Sequence, residues 1–247
     1  MNYSSRFWLY APTATFVILA AAVMVHWWVV AGAFEKKLAA LKGKEAVPGI
    51  TLDWKTAEVG GFPFRLDTDF TGLTVTGAGP HGPFRWTTEK FAAHTLSYNR
   101  AKAVYEAAGQ QHVSWTDGQG AAHSIDFLPG SLRASSVMRD HGLVRADLDI
   151  ANLAATNTRI GRFQLHMRRD PDGRGLDLML DADAAGDITK VQVYAVLSQG
   201  EAFAGFLKGA QSWPDAAKAW RGHGGSVKLT KVIAPGLDPR ALLSQLY

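Results

Sequence analysis

Residues 16–30 read FVILAAAVMVHWWVV, and apolar flanks lengthen the run through Phe7-Trp8-Leu9-Tyr10 and Ala31-Gly32-Ala33-Phe34. No other stretch of the chain is as densely apolar. A helix that crosses the hydrocarbon core of a bilayer needs about 20 apolar residues, and Ala11 to Ala33 supplies them. The chain is therefore expected at a membrane. Pro12 is read as lying at the helix start, where an N–H has no partner four residues back. His26 stands beside Trp27 and Trp28. Indole rings favour the headgroup region, so this cluster reads as one interfacial belt, with Trp8 and Tyr10 as the opposite one. His26 reads as a neutral interfacial side chain, with a proton relay as the alternative.

A cleavable signal peptide is the rival reading, since Ala31-Gly32-Ala33 fits an A-x-A cleavage pattern. The length of the apolar run favours an uncleaved anchor. Phe34, Leu38 and Leu41 recur at helical spacing and continue that helix, with Lys36 and Lys37 placed at the membrane interface. Orientation meets a conflict. Lys36, Lys37, Lys42 and Lys44 outweigh Arg6, so positive-inside counting keeps the C-terminal side in the cytoplasm. The absence of cysteine suits an oxidising envelope compartment, and the rest of the chain has the character of an exported β-rich domain. The expectation is a single-pass protein of the bacterial inner membrane with its C-terminal domain in the periplasm.

The division expected is an anchor and juxtamembrane helix over 1–45 and one β-rich domain over 46–247. The net charge of +4 is spread thinly, and no Lys/Arg cluster resembles a nucleic-acid face. From Gly49 the pattern alternates. Ile50, Leu52 and Trp54 share one face of a strand, and Phe64, Leu66 and Phe70 one face of another running from Phe62 after the Gly60-Gly61 turn. Thr71–Thr76 continues as a strand, and Gly77–Pro83 reads as a loop. Phe84–Trp86 and Phe91–Tyr98 read as extended, and Ala101–Ala107 fits strand or helix. Three hairpins follow, turning at Asp117–Gly120, Asp140–Gly142 and Asp170–Gly175. In Leu176–Asp183 carboxylates alternate with apolar groups, giving one wet and one buried face. Short helices are expected at Glu201–Gly209 and Pro214–Trp220, a strand at Ser226–Val232, and a terminal helix at Pro239–Leu246 capped by Asp238. The fold class is mainly β (α+β): one large twisted antiparallel sheet, short C-terminal helices and a single N-terminal transmembrane helix.

Catalytic and metal motifs are missing. There is no cysteine nucleophile, no HExxH, and no metal-ligand spacing among the eight histidines. Asp170-Pro171-Asp172-Gly173 has the outline of a calcium loop but lacks the distal bidentate glutamate, so it reads as a turn. Asp181 and Asp183 share a strand face and read as solvated. No cofactor, no metal and no enzymatic activity is expected.

The segment from Trp54 through Gly61-Phe62-Pro63-Phe64-Arg65-Leu66-Asp67 resembles domain of unknown function 2125, a family of membrane-anchored bacterial proteins. Weaker likenesses lie at Ala93–Tyr98, Leu132–Ser135, Phe163–Arg168 with Leu176–Ala182, and Gly224–Val227. The resemblance implies an envelope protein with an N-terminal anchor and a long curved β-rich domain. It is similar in character to larger inner-membrane proteins held to handle lipids, and it carries no catalytic residues over.

Gly61–Arg65 is the one signature-like constellation. In the functional reading Phe62 and Phe64 touch an acyl chain or a partner helix, and Arg65 meets a headgroup phosphate, with Trp54 as a further contact. In the structural reading the two phenylalanines are core residues and Arg65 pairs with Asp67 or Asp69. The function expected is non-enzymatic binding of lipid or another hydrophobic ligand on an apolar sheet face. The alternative is an accessory subunit that packs on integral membrane proteins. Membrane lipid is the expected partner in the first case and nucleic acid in neither.

Overall fold

The computed structural model describes residues 5–79, 82–155, 158–184 and 190–233. Helix α1 spans Ser5–Leu41 and continues through Pro12, which sits inside the helix rather than at its start. Pro12 has no N–H to give to the helix, a defect that membrane helices tolerate. The expected helical continuation through Leu38 and Leu41 is present. By length and composition α1 suffices to cross a membrane, as a single-pass anchor or a signal sequence.

Thirteen strands follow among the described residues, all in one antiparallel sheet. They are β1 (Lys44–Val47), β2 (Ile50–Asp53), β3 (Thr56–Gly60), β4 (Arg65–Gly79), β5 (Gly82–Leu96), β6 (Lys102–Thr116), β7 (Ala122–Leu128), β8 (Ser131–Arg139), β9 (Gly142–Ala155), β10 (Thr158–Arg169), β11 (Leu176–Ala184), β12 (Lys190–Leu197) and β13 (Val227–Ile233). The path is β1-β2-β4-β5-β6-β7-β9-β10-β11-β12-β13. Two lanes hold two strands end to end. β2 pairs Thr74–Gly77 of β4 while β3 pairs Asp67–Thr71. β7 and β8 likewise share the lane between β6 and β9.

The sheet has two chemically distinct faces. Register carries Tyr105, Ala134, Leu148, Leu165, Leu180, Val193 and Val232 across successive strands on one face. The next residues along those strands carry Glu106, Arg133, Asp149, Gln164, Asp181 and Gln192 across the other. β4 keeps this order through a change of parity. Leu66, Thr68 and Phe70 are buried, and so is Leu73. The switch occurs at Gly72, whose φ of 59° lets the backbone turn there. Without it Leu73 and Val75 would point at the polar face.

Two cores cover the apolar face at its ends. In the first, Trp54, Phe70 and Leu73 pack with Leu38 and Leu41 of α1. In the second, a 3-10 turn (Gly200–Phe203), α2 (Ala204–Leu207) and α3 (Trp213–Gly222) press Phe203, Leu207, Ala216 and Trp220 on Leu176. Helix α3 starts where it does because the Ser212 hydroxyl caps it, with Pro214 in the first turn and Asp215 at the third position. This helical segment also reaches the first strands. A Cβ on Gly49 would lie 3.3 Å from Ser212, one on Gly209 would lie 3.0 Å from Val47, and α3 touches β4.

The three hairpins, the C-terminal helices and the strand after Gly225 are where the alternation and turn residues put them. Other segments differ. The Phe62 strand begins only at Arg65, because the Arg65 N–H donates to the Gly61 carbonyl at 2.8 Å and closes Gly61–Phe64 into a turn. The loop at Gly77–Pro83 narrows, since β4 runs to Gly79 and β5 starts at Gly82. Phe84–Trp86 and Phe91–Leu96 belong to one strand, joined through a register shift between Thr88 and Lys90. Ala101–Ala107 resolves as strand from Lys102. Strands β1, β3 and β12 are additions to the reading. The helix expected at Pro239–Leu246 lies outside the described residues.

Candidate functional site

The Gly61–Phe64 turn sits where α1 meets the sheet. Gly61 has φ 93° and the Phe62–Pro63 peptide is cis. A Cβ on Gly61 would lie 2.9 Å from the Arg65 backbone, so only glycine closes this turn without displacement. Phe62 and Phe64 are exposed, at 52% and 57%, and neither enters the core. The structural reading of these two rings is thereby corrected. Their alternation with Leu66 imitates a strand, but the turn aims them outward. Phe62 does meet a helix, and it is the chain's own: its ring lies edge-on to Trp27 with centroids 5.5 Å apart. The Trp27 indole N–H donates to the Arg65 carbonyl at 2.8 Å.

Arg65 pairs with Asp67 at 2.9 Å and lies 3.1 Å from His94 Nδ1, which itself is 2.8 Å from Asp67. Beside it a shallow depression of about 390 Å³ is lined by Arg65, His94, Leu96, Lys102, Val104 and Glu106. The loop after β5 is tied to the same turn, since the Ser97 N–H donates to the Phe64 carbonyl at 2.9 Å. Tyr98 in that loop is 68% exposed. Trp54 is elsewhere: it is 6% exposed and packs edge-on against Phe70 at 5.2 Å. The structure joins Phe62, Phe64 and Arg65 and leaves Trp54 in the core. Trp8, Tyr10 and Trp28 are exposed on α1, and Lys36 and Lys37 are exposed further along it.

Between the two cores the apolar face is covered unevenly, with Ile150 and Ala195 buried and a band beside them left partly open. Leu165 is 37% exposed, and Leu148, Leu180 and Val193 around it are half-buried. Individually these residues look like ordinary strand apolars. Register alone assembles them into one band, which is why residue-by-residue reading did not single them out.

The opposite face is a lattice of ion pairs. Asp149 holds Arg162 through two hydrogen bonds of 2.7 and 2.9 Å, Asp177 meets Arg168 at 3.3 Å, and Lys190 reaches Asp181 and Asp183 at 3.3 and 4.0 Å. Asp147 takes His166 at 2.7 Å, Arg145 at 2.8 Å and Ser135 at 3.0 Å. Burial pushes the Asp147 carboxyl up, but these hydrogen bonds outweigh it and hold the group below its ordinary 3.8. The Arg162 hydrogen bonds hold Asp149 down in the same way. A depressed carboxyl stabilises the fold above its unfolded pKa, and that contribution disappears as pH falls through the lower folded value. Asp147→Asn is expected to cost about 1–3 kcal/mol near neutrality. It should also narrow the stability difference between about pH 7 and about pH 3. Denaturant midpoints at the two pH values measure both effects. No group of three or more His, Cys, Asp or Glu suited to a metal occurs among the described residues.

The model of a family described as an uncharacterized protein conserved in bacteria (DUF2125) matches residues 27–237. No curated protein and no solved structure matches the chain.

Proposed function

On the premise that the chain belongs to this family of uncharacterized bacterial proteins, we propose that it is a membrane-anchored module of the cell envelope that binds lipid or another hydrophobic ligand without transforming it. The observation that carries this reading is the half-exposed band of Leu148, Leu165, Leu180 and Val193 between two well-filled cores. Apolar surface left open in this way marks a site of binding. The ion-paired face behind it supports the same assignment, because its charges already have partners within the sheet. The β domain is assigned to the periplasmic side, on the absence of cysteine and the β-rich character of the chain.

Native mass spectrometry of the protein, extracted gently from its own membrane, tests the reading. A lipid retained in stoichiometric amount is the expected result. Leu165→Gln is expected to lower that retention several-fold while lowering the unfolding free energy by only about 1–2 kcal/mol, because the side chain is already partly in water. Stoichiometric protein partners without bound lipid would replace this reading with the accessory-subunit one.

A further inference from the structure

We propose that the Gly61–Phe64 turn and the loop after β5 form a second contact with the bilayer that α1 crosses, with Phe62, Phe64 and Tyr98 seated among phospholipid headgroups. This rests on α1 being a membrane span. It does not depend on which side of the membrane the sheet occupies.

The geometry begins with the length of α1. Trp8 and Trp27 are separated by about 28 Å along a helix rising about 1.5 Å per residue, close to the hydrocarbon thickness of about 30 Å. Every apolar side chain between them is exposed or half-buried. From Trp27 onward the helix turns to the protein: Ala31 is buried, and Leu38 and Leu41 join the first core. The boundary between lipid-facing and sheet-facing helix thus falls at Trp27–Trp28.

That boundary is where the turn is fastened. Trp27 holds the Arg65 carbonyl by its indole N–H and the Phe62 ring by its edge. β4 starts at Arg65 and runs in the same direction as α1, since the cluster of Trp54, Phe70 and Leu73 against which Leu38 and Leu41 pack lies further along both elements. The turn that joins β3 to β4 therefore lies at the emergence point of the helix. The Ser97 bond to Phe64 brings Tyr98 to the same level. Large aromatic rings exposed singly need no explanation. Three of them, on two loops bonded to each other and to an interfacial tryptophan, lie where aromatic side chains are most favourable in a bilayer.

The chain has no cysteine, so single-cysteine variants of the full-length protein report on position directly. Phe64→Cys, Tyr98→Cys, Gln119→Cys and Val17→Cys would each carry an environment-sensitive fluorophore in nanodiscs of phosphatidylethanolamine and phosphatidylglycerol. Gln119 is exposed in the turn at the other end of β6. Nitroxide-bearing lipids supply shallow and deep quenchers. The expected result is shallow quenching at positions 64 and 98 several-fold above that at 119, with deep quenching at 17. Quenching at 17 combined with values at 64 and 98 no higher than at 119 overturns the seating and leaves the anchor intact. Absence of quenching at 17 overturns the anchor and the seating with it.

Discussion

Trp220→Ala is expected to destabilise the β domain by about 3–5 kcal/mol, the usual cost of deleting a buried indole. Trp220 is buried in the second core, its ring tilted against Phe203 with centroids 5.9 Å apart. Its indole N–H donates to the Ser198 carbonyl at 2.7 Å, which links α3 to the end of β12. Truncation leaves a cavity over Leu176 and removes that donor together. The control is Trp28→Ala, since Trp28 is exposed on α1 and packs in neither core. Its removal should change the unfolding free energy by less than about 0.5 kcal/mol. Chemical denaturation of the detergent-solubilised protein, followed by far-ultraviolet circular dichroism, separates the two. A Trp220→Ala effect as small as that of the control would mean that α3 contributes little to the stability of the sheet.

Gln111→Leu is expected to destabilise by about 2–4 kcal/mol, although it replaces a polar group by an apolar one in a buried position. Gln111 is fully buried. Its amide donates to Thr88 Oγ1 at 2.9 Å and to the Gly109 carbonyl at 3.1 Å, and its carbonyl accepts from the Trp86 indole at 3.0 Å. Leucine fills similar space and leaves those buried partners unsatisfied, at about 1–3 kcal/mol for each that finds no water. Gln111→Glu should be destabilising too, because burying a carboxylate is costly and the amide donors are lost. A leucine variant as stable as the parent, by the same denaturation experiment, would show that water enters the bulge and takes over these bonds.

Gln111 also marks a limit of sequence reading. A glutamine flanked by Gln110 and His112 has the texture of an exposed strand edge. Its burial follows from the bulge at Gly109, which has φ 81°. Elements governed by local chemistry were legible. Asp and Gly at 117–120, 140–142 and 170–175 announce three hairpins, and the alternation of Leu176–Asp183 announces a strand with two unlike faces. The misreading of Phe62–Phe64 has the opposite origin. Its spacing is strand-like, while Gly61 and the Trp27 contact from a distant helix decide the backbone and aim the rings outward. Membership of the apolar band was equally hidden, because it depends on register across strands and not on the neighbours of Leu165 along the chain.

The order of the strands has a consequence for how the domain assembles. From β9 to β13 every strand pairs with the one made just before it, and the same holds from β4 through β7. Pairing of this kind closes short loops first and keeps the mean sequence separation of contacts low, a topology that folds fast. The sheet can therefore zip up hairpin by hairpin in the order of synthesis, with each new strand laid on a finished edge. The step that must wait is the docking of the segment before β13 near the first strands, where Gly209 meets Val47 and Ser212 meets Gly49. Until then the apolar face lacks its second core, so the interval between making β1 and making α3 is when the chain is most exposed to aggregation.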